Sequence, residues 1–245
     1  MNNEEIQNIN ELNEDGLTKL HVAIKNSDIN RMKELIKQGA DINIRAEYNY
    51  SPIEYACLNN NYEAVKILLY NKVETKGRGL LHIACLNGNT NIENLLIKNG
   101  CNVNEFDKYN RTPAYWAIQG GSLKCLKMLY ENGANFKLRK CGDENLLYFA
   151  VGEGKIEIVK YLINIGMDKY INDIEFPLLI LATNYNNKEM VKLLIKYNIN
   201  VDLKDENGNT ALINSVEQAK YEITEVLLEN NANPYITNKE RERYV

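Results

Sequence analysis

Two histidines, five cysteines and one glycine-rich turn are the residues of this 245-residue chain whose types and spacing could support catalysis or metal binding. His82 and Cys85 are three residues apart, a helical spacing that sets an imidazole beside a thiol and permits a Cys–His nucleophile pair. Cys57 occupies the equivalent place in a matching segment, Tyr55-Ala56-Cys57 against Ile83-Ala84-Cys85, where the small neighbours point to tight packing. Both thiols therefore read as buried core groups, small hydrophobes rather than nucleophiles. His21 and His82 lack a carboxylate or thiol at ligand spacing beside both, so they do not form a zinc site. Gly152-Glu153-Gly154-Lys155 has the look of a phosphate loop, but the full G-x-x-x-x-G-K-[ST] pattern is absent and no buried strand precedes it. No catalytic residue, metal site or cofactor is expected.

The composition narrows the classes further. A hydrophobic fraction of 44% is enough to bury a sizeable core, and a net charge of -4 lacks the basic excess of a nucleic-acid binder. The start, Met1-Asn2-Asn3-Glu4-Glu5, has neither the positive nor the apolar region of a secretory signal. No apolar run approaches the roughly 20 residues needed to cross a bilayer. A cytoplasmic protein with no membrane insertion is expected, although a signal-independent export route leaves no trace in sequence.

What must position any functional residue here is a repeat. Thr18-Lys19-Leu20-His21-Val22-Ala23 recurs as segments opening at Ser51, Gly79, Thr112, Asn145, Pro177 and Thr210, with successive offsets of 33, 28, 33, 33, 32 and 33. Six of the seven carry Ala in the sixth place, where a small side chain lets a neighbouring helix approach. A second helix follows in each unit, as in Ile156, Val159, Leu162 and Ile163, whose spacing forms one buried stripe. It ends at Gly39, Lys72, Gly100, Gly133, Gly166, Asn198 and Asn231, six of which tolerate the left-handed cap conformation.

This pattern resembles the T-P-L-H-x-A signature and 33-residue period of ankyrin repeats across nearly the whole chain. The resemblance implies an all-α ankyrin-repeat solenoid of stacked helix-turn-helix units with short β-hairpin fingers, entered through segments such as Ala40-Asp41-Ile42-Asn43 and Cys101-Asn102-Val103-Asn104. It also implies that His21 and His82 hydrogen-bond between repeats. One domain is expected over 1–245, with repeats at approximately 13–45, 46–73, 74–106, 107–139, 140–171, 172–204 and 205–237 and short caps at 1–12 and 238–245. Equivalent helices of neighbouring repeats lie roughly 8–10 Å apart, beyond the ~7 Å Cα limit for a disulfide, so Cys57 and Cys85 stay reduced. The acidic residues are spread along the helices without a repeating pair and read as solvated faces.

The offset of 28 removes five residues where a finger belongs, leaving a tight turn near Gly77-Arg78-Gly79. In ankyrin proteins partners meet the finger tips and the exposed side of the first helix. Those positions here hold Tyr48 and Tyr50 on the second finger, Lys108, Tyr109 and Arg111 on the fourth, and Phe176 on the sixth. The first helices contribute Leu58, Asn59, Leu86, Asn87, Gln119 and Tyr185, while Trp116 packs between repeats. Tyr and Arg are enriched at interface hot spots because a rigid ring loses little entropy and Arg donates in a fork. A monomeric, non-enzymatic scaffold, adaptor or inhibitor that holds a protein partner is the expected function. The alternative is a targeting or regulatory arm of a larger enzyme.

Overall fold

The computed structural model describes residues 9–138, 145–172 and 177–242. Seven helix pairs follow one another: α1 Lys19–Lys25 and α2 Ile29–Lys37, α3 Pro52–Leu58 and α4 Tyr62–Tyr70, α5 Leu80–Leu86 and α6 Thr90–Lys98, α7 Pro113–Gln119 and α8 Leu123–Glu131. The series continues with α9 Leu146–Gly152 and α10 Ile156–Leu162, α11 Leu178–Asn184 and α12 Lys188–Lys196, α13 Ala211–Glu217 and α14 Tyr221–Glu229, then a single turn, α15 Lys239–Glu242. Met1–Phe136 forms one compact unit, carrying α1 to α8, and Lys137–Val245 a second, carrying α9 to α15.

Local chemistry sets each helix. Thr18, Asn145 and Thr210 cap their first helices by accepting the N–H of His21, Tyr148 and Ile213, and Pro52 and Pro113 stand at the first helical position, where no N–H is needed. Asp28, Asn61, Asn89, Ser122 and Asn187 do the same for the second helices. The small residue of the signature, Ala23, Ala56, Ala84, Ala117, Ala150, Ala182 or Ser215, is at most 3% exposed in every repeat. All seven second-helix ends are left-handed, including Lys72 at φ 57. A second left-handed position, Ser27, Asn60, Gly88, Gly121, Gly154, Asn186 and Ala219, turns each first helix into its partner. Gly154 is thus the inter-helix turn of its repeat and no phosphate loop.

Two expectations are corrected. No strand occurs among the described residues, so the fingers are turns, each closed by two backbone bonds: Ala46 N–H to Tyr50 O with Asn49 N–H to Ala46 O, Asp107 N–H to Arg111 O with Asn110 N–H to Asp107 O, and Asp205 N–H to Asn209 O with Gly208 N–H to Asp205 O. Successive fingers are tied by side chains instead of a strand ladder: Asn10, Asn43, Asn104, Asn172 and Asp202 each accept the N–H of a residue one repeat on, at 2.7–3.0 Å. Secondly, Glu54 and Glu93 are buried rather than solvated. Glu93 stands at the inward place held by Met32, Val65, Leu126, Val159 and Val191 in other repeats.

The shortened connection narrows to a turn over Lys76, Gly77 and Arg78, and α3 still packs on α5. Arg78 folds inward, 3.4 Å from Glu54 Oε2 and 2.5 Å from Glu74 Oε2. Glu54 occupies the histidine place of the signature, so a carboxylate reaching Arg78 does the bridging that an imidazole does elsewhere.

Candidate functional site

His21 Nε2 lies 3.2 Å from Tyr50 O and His82 Nε2 3.1 Å from Arg111 O. A carbonyl only accepts, so both rings carry their proton on Nε2, and Thr18 Oγ1 donates to Nδ1 of His21 at 2.7 Å. Burial lowers both imidazole pKa values, which keeps the rings neutral. The histidines thus hold a finger to the first helix of the preceding repeat, the structural role expected of them. Cys57, Cys85 and Cys125 are buried, and burial pushes the Cys57 and Cys85 thiols up. Cys141 lies outside the described residues. Among the described residues no group of three or more His, Cys, Asp or Glu could hold a metal ion.

The fourth finger is the most built of the candidate positions. Asp107 Oδ1 accepts the N–H groups of Tyr109 and Arg111 at 2.8 and 2.9 Å, and Oδ2 accepts Arg111 Nε and Trp116 Nε1, both at 2.9 Å. Partial burial works against the charge, but these donors outweigh it and hold the Asp107 carboxyl below the usual carboxylate range. The Arg111 guanidinium sits 4.5 Å from the Trp116 ring centroid and 4.9 Å from that of Tyr109, and Lys108 Nζ is 4.9 Å from Tyr109. Trp116 meets His82 edge-on at 6.1 Å, which places it between repeats as expected. Arg111 is therefore half-buried and committed within the finger, whereas the Tyr109 ring is 55% exposed.

On the second finger Tyr48 is 80% exposed in a left-handed turn, while Tyr50 is half-buried and offers its carbonyl to His21. Leu58, Asn59, Asn87 and Gln119 are exposed and Leu86 is half-buried. Asn87 Nδ2 reaches Cys57 O at 3.2 Å and Leu58 O at 3.5 Å, so these two helix ends adjoin. Gly120 brings the next one closer still, since a Cβ there would meet Leu86 O at 2.2 Å. Lys108, Tyr48 and these helix ends share the first unit; Tyr185, 66% exposed, belongs to the second, and Phe176 lies outside the described residues. Asp107 and Trp116, which organise the finger, were missed as a site by sequence reasoning. Their signal was the Asp at the turn start, which recurs at Asp205, where it accepts Asn207 and Asn209 N–H with no aromatic partner among the described residues.

This geometry is that of a helix-turn-helix repeat protein with decorated finger tips. The family model for ankyrin repeats matches three times, over residues 2–76, 70–140 and 147–238, and the chain belongs to the ankyrin-repeat family, whose repeats are protein–protein interaction modules. It is 31% identical over 116 residues to ankyrin repeat protein FPV223 of fowlpox virus, covering 46% of this chain and 82% of that one. It is 26% identical over 172 residues to human transient receptor potential cation channel subfamily A member 1, and 23% identical over 225 residues to palmitoyltransferase AKR1 of Lachancea kluyveri. The match spans 64% of this chain but 15% of the channel, and 88% of this chain but 27% of the transferase. In fold it is similar to the human ASB11 ankyrin repeat domain, with a TM-score of 0.74 at 23% identity, covering 89% of this chain and 100% of that domain. The ankyrin repeat domain of Bcl-3 gives 0.57 at 22% identity, over 93% and 92%. No helix among the described residues is long and apolar enough to cross a membrane.

Proposed function

We propose that the chain is a non-enzymatic scaffold, adaptor or inhibitor that holds a partner protein through its finger tips and first helices, acting as a monomer in the cytoplasm. The observation that carries this reading is the fourth finger. There an exposed tyrosine is fixed between Lys108 and Arg111 on a turn that Asp107 locks. A ring already held in place loses little further entropy on binding, so its burial converts efficiently into affinity. Tyr48 on the second finger and the Leu58-Asn59, Leu86-Asn87 and Gln119 helix ends lie in the same unit as this finger. The net charge of -4 supports a protein rather than a nucleic acid as partner.

The reading is tested by affinity capture from the cell that expresses the chain, comparing the parent with a Tyr48→Ala/Tyr109→Ala variant. A protein retained by the parent and lost by the variant, with equal melting temperatures, supports it. A second reading, the targeting or regulatory arm of a larger enzyme, draws on the channel and the transferase, of which the match spans 15% and 27%. Native mass of the protein in its own cell separates the two.

A further inference from the structure

The second helices of the first two repeats enclose a cleft of about 600 Å³ lined by Lys33, Ile36 and Lys37 of α2 and by Glu63, Lys66, Ile67, Tyr70 and Asn71 at α4. Its floor is apolar, with Ile36 and Ile67 half-buried, and the Tyr70 ring stands at its end 87% exposed. Its rim is cationic. Lys33, Lys37 and Lys66 are exposed and make no ion pair among the described residues, and Glu63 is the single opposing charge in the lining. Three other second-helix lysines, Lys160, Lys188 and Lys192, each close on a glutamate, at 2.7, 3.1 and 3.7 Å. Three unpaired cations around an aliphatic floor are an unsatisfied electrostatic surface, complementary to carboxylates that carry apolar side chains between them.

The geometry points to a second docking surface, distinct from the fingers, that takes an acidic amphipathic helix of a partner protein. Apolar residues of that helix meet Ile36, Ile67 and Tyr70 while its carboxylates meet Lys33, Lys37 and Lys66. A helix fits better than an extended strand because α2 and α4 spend their interior N–H and C=O groups on themselves. An extended peptide would lose its own backbone hydrogen bonds to water with nothing to replace them. A helix brings its backbone already satisfied. Apolar contact supplies affinity, and the lysines supply orientation and rate.

The experiment uses the full chain and a synthetic helical peptide of about five turns, Leu on one face and Glu on the other, with a Lys-for-Glu peptide and phosphatidylserine vesicles as competitors. The acidic peptide is expected to bind and to weaken about tenfold or more in Lys33→Glu/Lys37→Glu/Lys66→Glu. Raising salt from about 0.05 M to about 0.3 M should weaken it as well. Lys160→Glu/Lys192→Glu and Tyr109→Ala should bind it like the parent, and all variants should melt together. Absence of binding, equal binding of the Lys-rich peptide, or insensitivity to the triple substitution overturns the proposal. Vesicle binding that depends on these lysines while the acidic peptide is ignored would assign the surface to a lipid instead. Because Tyr109→Ala leaves this binding intact, its outcome is separate from that of the finger surface.

Discussion

Arg78 and Glu54 form a buried ion pair, with side chains 6% and 9% exposed, at the one connection that is five residues short. Glu54 also accepts from Ser51 N–H at 3.0 Å and from the Ser51 hydroxyl, and Arg45 approaches it at 3.5 Å. Removing one partner leaves the other with its remaining contacts only, Glu74 for Arg78 or Arg45 and Ser51 for Glu54, so the cost falls below the roughly 3–5 kcal/mol of a fully stranded buried charge. Arg78→Ala and Glu54→Leu should each lower the free energy of unfolding, read as a lower urea midpoint at unchanged slope. The double variant Glu54→Leu/Arg78→Met should recover most of the loss, to within about 1 kcal/mol of the parent. A double variant as unstable as either single one would show that the pair is not what closes this junction.

Glu93 supplies a pH dependence of definite sign. It is fully buried, both carboxyl oxygens lack a hydrogen-bond partner, and burial raises its pKa from 4.5 to about 10. The folded chain therefore keeps a proton that the unfolded chain releases above 4.5. The group's contribution is fully present below that value and is lost progressively up to about 10, reaching on the order of 3 kcal/mol at pH 7. Glu93→Leu, which restores the aliphatic type found at Leu126, should stabilise the protein at pH 7 and progressively less toward pH ~4. Chemical denaturation at several pH values tests this, and a stabilisation independent of pH would contradict it.

Lys72 adopts φ 57 at a helix end where other repeats use Gly or Asn. A left-handed non-glycine residue costs roughly 1–2 kcal/mol, partly offset by the greater chain entropy of glycine. Lys72→Gly should raise stability by about 0.5–1 kcal/mol, and Lys72→Val should lower it. Equilibrium unfolding with the same slope for all three proteins reads the difference.

Thiol reactivity should follow access. Cys125 is fully buried, so its sulfur has no exposed surface. Cys57, Cys85 and Cys125 should therefore react with an aromatic disulfide reagent only as fast as the protein opens, while half-buried Cys101 reacts sooner. Rates for Cys125 that match those of an exposed thiol would place it at the surface.

The period made most of the fold legible, because Ala23 and its six counterparts and the left-handed helix ends are dictated by residue type. The second left-handed turn escaped notice, since Ser27, Asn60, Gly88 and Ala219 share no single type. Glu93 read as one more surface acid, because its burial comes from the helix face it shares with Met32 and Val65 rather than from its own chemistry. In the finger, Tyr109 and Lys108 were legible as exposed tip residues. The engagement of Arg111 with Asp107 and Trp116 was not, because a side chain nine residues away closes it.

The most direct test of the finger surface is a titration of the captured partner against single variants, with thermal melts alongside. Tyr48→Ala and Tyr109→Ala should each cost on the order of 2 kcal/mol of affinity, about thirtyfold in Kd, while exposed-site truncation costs the fold less than about 0.5 kcal/mol. Lys160→Ala and Lys192→Ala, on second helices, should bind like the parent. If the second-helix variants lose the partner while Tyr48→Ala and Tyr109→Ala retain it, all melting like the parent, the fingers are not the binding surface.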